Sequence, residues 1–112
     1  MVQVFHMNNF QEYFYHEKGT PWIDTGILVA EVDTNILDVA YEKTNHISHD
    51  WKENQGVVSF ANKNRSTSVG DVLFFEDQTF IVEDCGFHEL TGQDKQNICV
   101  TLPSNYKEKI GS

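Results

Sequence analysis

His46 and His49 stand three residues apart, with Asp50 directly after them. On a turn of helix this spacing would put both imidazoles on one side, where they could share a metal ion. A third ligand would have to come from His6, His16 or His88 through the fold. Neither H-E-x-x-H nor a zinc-finger pattern occurs. The pair is read as solvated polar residues, and no metal or cofactor is expected. A second group is Arg65-Ser66-Thr67-Ser68-Val69-Gly70-Asp71. The guanidinium fork of Arg65 and the hydroxyls of Ser66 and Ser68 could receive an anion or a partner's polar groups. The same Ser, Gly and Asp are what a tight turn requires, and Asp71 would weaken any anion. The order lacks the glycine spacing and the lysine of a P-loop.

Nucleophiles fare no better. Cys85 sits between Asp84 and Gly86, where acidic surroundings raise a thiol's pKa and blunt its reactivity. His88, three residues on, falls on the opposite face of an extended strand from Cys85. Glu83 and Asp84 likewise point apart as strand neighbours, so together they make no acid/base pair. A G-x-S-x-G elbow is absent. No catalytic residue can be named, and the chain is read as not an enzyme.

The side chains left to carry function are aromatic. Phe10, Tyr13, Phe14, Tyr15 and Trp22 crowd the first third of the chain. Core packing is the usual use of such residues, but one short element cannot turn them all inward. Trp51 lies in a polar stretch and is expected to be an exposed anchor of the kind common at interfaces. The expected partner-binding set is Trp51, Trp22, Arg65, Ser66 and Ser68.

The elements that must position these residues follow from hydropathy and turn signals. Val2, Val4 and Met7 suggest a first strand, while Phe10 to His16 fits either strand or helix. After the turn at Gly19-Thr20-Pro21, Ile23 to Val32 reads as a strand. Ile36, Leu37, Ala40, Tyr41 and Thr44 mark one helical face, with N-caps available at Asp33, Thr34 and Asn35, so a helix is predicted over about 35–46. Val57 to Phe60, Val69 to Phe75, Thr79 to Asp84, Phe87 to Leu90 and Asn97 to Leu102 read as strands, with a bulge or kink at Gly86. Hairpin-like succession around one main helix predicts an α+β domain, a mostly antiparallel sheet with the helix packed on one face. The 112 residues suit a single compact domain, 1–112, with a loose tail from about 104.

Charge and cysteine usage narrow the setting. Seventeen acidic against eight basic residues give a formal net charge of −9. The acid is spread out: residues 1–56 carry nine acidic and three basic side chains, and residues 57–112 carry eight and five. Such a surface repels phosphate backbones, so direct nucleic-acid binding is not expected. The two cysteines, Cys85 and Cys99, are too few for a disulfide framework and are expected to be reduced and buried. No apolar run approaches a membrane span and no signal peptide is visible, so the expected location is cytoplasmic, away from membranes.

Residues 65–71 together with Thr79-Phe80-Ile81-Val82-Glu83-Asp84-Cys85-Gly86-Phe87 resemble the YodL-like family. The likeness rests on the Ser-x-Ser-Val-Gly-Asp-Val stretch, on the Cys-Gly-Phe that ends the following hairpin, and on the helix before them. It spans about residues 33–90. It implies a prokaryotic, phage or mobile-element accessory protein and no particular chemistry. The expected function is that of a small acidic accessory or regulatory protein that binds a protein partner. The alternatives are a nucleic-acid mimic that inhibits a DNA- or RNA-binding protein, and a small metal-assisted enzyme using His46 and His49. A homodimer is compatible with exposed sheet edges.

Overall fold

The first strand, β1 (Val2–Met7), carries apolar residues on both its faces, and such a strand needs cover on both sides. The computed structural model, which describes residues 1–17, 19–45, 50–61 and 65–110 (backbone only at Ile110), places β1 at the centre of the sheet. It pairs antiparallel with β2 (Asp24–Val32) on one side and β4 (Val72–Phe75) on the other. β5 (Gln78–Glu83) and β6 (Gly86–Leu90) continue from β4 as antiparallel hairpins. β3 (Val57–Ser59) lies beyond β2, giving the order β3-β2-β1-β4-β5-β6. The fold is α+β with a mostly antiparallel sheet. No helix among the described residues is long and apolar enough to cross a membrane.

A bulge divides β2. Val4 pairs with Ala30 and Phe5 with Leu28, which leaves Val29 as an extra residue. Val29 and Ala30 therefore join one apolar cluster with Val2 and Val4. Leu28 joins the other, with Phe5 and Met7. Val72 and Leu73 in β4, and Ile81 and Val82 in β5, split between the clusters in the same way, so the two cores lie on opposite faces. The outer edge of β2 is also divided. Ala30–Val32 pair with β3, whereas Asp24–Ile27 pair in parallel with β7 (Ile98–Thr101).

Several elements differ from the sequence expectation. Phe10–Tyr13 forms a short helix, α1. The expected 35–46 helix is shorter, α2 (Leu37–Lys43), because Ile36 is extended and Thr34 Oγ1 accepts the Ile36 N–H, which ties that residue outside the helix. Ile36 is consequently exposed. At the other end Thr44 Oγ1 donates back to the Ala40 carbonyl. Gly86 is no bulge: it faces Glu83 across the tight Asp84-Cys85 turn at φ +128°, which glycine reaches without strain. A further helix, α3 (Gly92–Gln96), fills the segment before β7. α4 (Tyr106–Ile110) sets the Tyr106 ring 5.2 Å from that of Phe60, and its O–H donates to Glu31 at 3.1 Å. Cys85 and Cys99 are exposed rather than buried, one in a turn and one on the solvent side of β7.

Candidate functional site

Arg65, Ser66 and Ser68 do converge, but around a side chain of the protein itself. Asp71 has no exposed surface. Its carboxylate accepts from both terminal nitrogens of Arg65 at 2.9 Å, from the Ser68 N–H at 2.8 Å and from the Met7 N–H at 2.8 Å. The Arg65 guanidinium also donates to the Ser66 carbonyl and lies 3.6 Å from the centre of the Phe10 ring. Burial pushes the Asp71 carboxyl above its ordinary value, against the pull of Arg65 and the two backbone donors. The Ser-x-Ser-Val-Gly-Asp stretch is thus a turn organised by its aspartate. The guanidinium that could have received an anion already holds a carboxylate.

Trp51 corrects the expectation of an exposed anchor: its exposure is 0%. It opens a 3₁₀ turn (Trp51–Glu53) that Asp50 caps by accepting the Lys52 N–H. The polar neighbours face outward while the indole plugs the first core and donates from Nε1 to the Arg65 carbonyl at 2.9 Å. Its ring stands edge-on to His6, 6.1 Å between centres. Thr67 Oγ1 donates to Thr44 Oγ1, so it accepts from His6 Nε2, which must carry the hydrogen. Burial, aided by the charge of Arg65, lowers the His6 pKa to about 3, and the ring is neutral. His46 and His49 lie outside the described residues. Among the described residues no three metal-ligating side chains gather.

The aromatic N-terminal segment divides into two groups. Phe10, Tyr13 and Trp22 pack against the second core. Phe14 and Tyr15, at the end of α1, are 61% and 84% exposed, and their rings meet edge to face at 5.3 Å. They border an open groove that runs past Tyr41, Asn45 and Val69. Beyond α1 lies a cavity of about 320 Å³, bordered by Tyr13, His16, Trp22, Glu83, His88 and Asp94. Tyr13 O–H donates to Glu83 at 2.8 Å. Of the residues expected to bind a partner, Trp22 alone lines this cavity. Its other walls come from α1 and the loop after it, β5, β6, α3 and β7, and no local spacing in the sequence announced them.

No family model, no curated protein and no solved structure matches the chain.

Proposed function

We propose that the protein acts by binding a protein partner with a basic surface, and that Phe14 and Tyr15 anchor it. The carrying observation is this exposed, edge-to-face aromatic pair beside an open groove. Two large rings held in water with no core to cover them are the kind of residues that dominate binding energy once desolvated. Glu12 and Glu17 flank the pair in sequence, and Asp84 and Glu83 border the shallow hollow on its other side. With a net charge of −9, this rim favours encounter with a basic partner. The resemblance of residues 33–90 to the YodL-like family supports an accessory role, and a prokaryotic or mobile-element setting with it.

The test places a photo-crosslinking residue at Tyr15 and isolates the covalent adduct from a host-cell lysate. One specific partner should be captured. The Phe14→Ser/Tyr15→Ser variant should fail to retain that partner at physiological salt while unfolding at the same temperature as wild type. Equal retention by the variant would remove the pair from the interface.

A further inference from the structure

We propose that the cavity between α1, the β5–β6 hairpin and α3 binds a small organic cation of the alkylammonium class. This goes beyond the protein-binding reading and rests on a neighbouring cavity, with Glu83 bordering both. The volume, about 320 Å³, is within the range of small-molecule sites. Three rings meet at it. Trp22 stands across Tyr13 at 68° and 5.3 Å, and across His16 at 61° and 5.1 Å. Tyr13 and His16 lie within 17° of parallel, 6.2 Å apart. Such a corner of aromatic rings offers negative π-faces to a cation.

The charge at the cavity agrees with the rings. Glu83 and Asp94 both line it, and among the described residues neither has a cationic partner. Both press on the Tyr13 hydroxyl, whose pKa burial and these two carboxylates raise. An anionic ligand would meet two carboxylates, and a purely apolar one would leave them unanswered. Trp22 Nε1 is buried and meets no acceptor among the described residues, so a ligand in the cavity meets the indole ring and not its N–H. His16 Nε2 is already hydrogen-bonded to the Thr20 carbonyl at 2.8 Å, which holds that ring in place as a wall.

Choline, its uncharged carbon isostere and tetramethylammonium separate the contributions. The readout is the Trp22 indole N–H resonance, assigned by its loss in Trp22→Phe. Choline should shift it saturably with a dissociation constant of about 1 mM or below. The isostere should bind about tenfold more weakly, and tetramethylammonium, which keeps the charge, should bind about as well as choline. Glu83→Gln and Asp94→Asn should each weaken choline about tenfold. Asp94 is exposed, so its variant keeps the test valid even where Glu83→Gln perturbs folding. The proposal is overturned by any of three results on folded protein: no saturable shift with choline, equal binding of the uncharged isostere, or unchanged affinity in Asp94→Asn.

Discussion

The Asp71 carboxylate holds Arg65 by two parallel hydrogen bonds of 2.9 Å while also capturing the backbone N–H of Met7, sixty-four residues away in sequence. One buried side chain thus ties the end of the central strand to the turn that leads into β4. Removing it strands a guanidinium, the buried Met7 N–H and the half-buried Ser68 N–H at once. Asp71→Ala is expected to destabilise the fold by about 3 kcal/mol, read from urea unfolding. A loss below about 1 kcal/mol would show that the network is replaceable by water.

Gly70 precedes that carboxylate at φ +95°. A methyl group there would run into the Phe10 carbonyl oxygen and lie 2.8 Å from the Phe10 Cα, both of them backbone atoms that cannot swing aside. Gly70→Ala therefore combines left-handed strain with a collision, for an expected cost of about 3 kcal/mol. A thermal midpoint equal to wild type would mean that α1 moves freely off the turn.

His6 should make stability depend on acidity. Its folded pKa, about 3, lies below the ordinary imidazole value of 6.5. Between those two values the unfolded chain binds a proton that the folded chain refuses. Stability therefore falls as pH drops through this window, by up to about 4 kcal/mol and less where water reaches the half-buried ring. Asp71 opposes the trend: its raised folded pKa contributes stability that grows on acidification. His6→Gln retains a donor for Thr67 and should flatten the dependence. Parallel urea midpoints for the two proteins from about pH 7 to about pH 4 would contradict the assignment.

Cys85 and Cys99 are both exposed. Both thiols should react with Ellman's reagent in native protein, without denaturant, and a serine at either position should remove one equivalent. Protection of either thiol until unfolding would contradict the placement of its strand or turn.

The first strand, from Val2, Val4 and Met7, and the hairpins from Val72 to Leu90 were readable because sheet burial prints a short period on the sequence. The role of Asp71 was half visible, since the turn residues announced a turn but not that Arg65 and Met7 would close on it. Trp51 misled because hydropathy over a window cannot distinguish a lone plug from a lone protrusion. The parallel pairing of β7 with β2 was invisible, because it depends on a contact between residues 24–27 and 98–101 that no local pattern encodes. The cavity escaped for the same reason: Trp22, Glu83 and Asp94 share it only after β5, β6 and α3 have folded back.

The position of β1 has a consequence for biosynthesis. A ribosome releases the middle of the sheet first, yet one neighbour of that strand ends at Phe75. Until then the emerging chain exposes a sticky apolar ribbon with half its backbone groups unsatisfied, and non-local pairing of this kind is slow and prone to aggregation. Nascent chains from which β4 has not yet emerged should therefore depend on chaperones, whereas those with everything through Leu90 outside the exit tunnel can close both sides of β1.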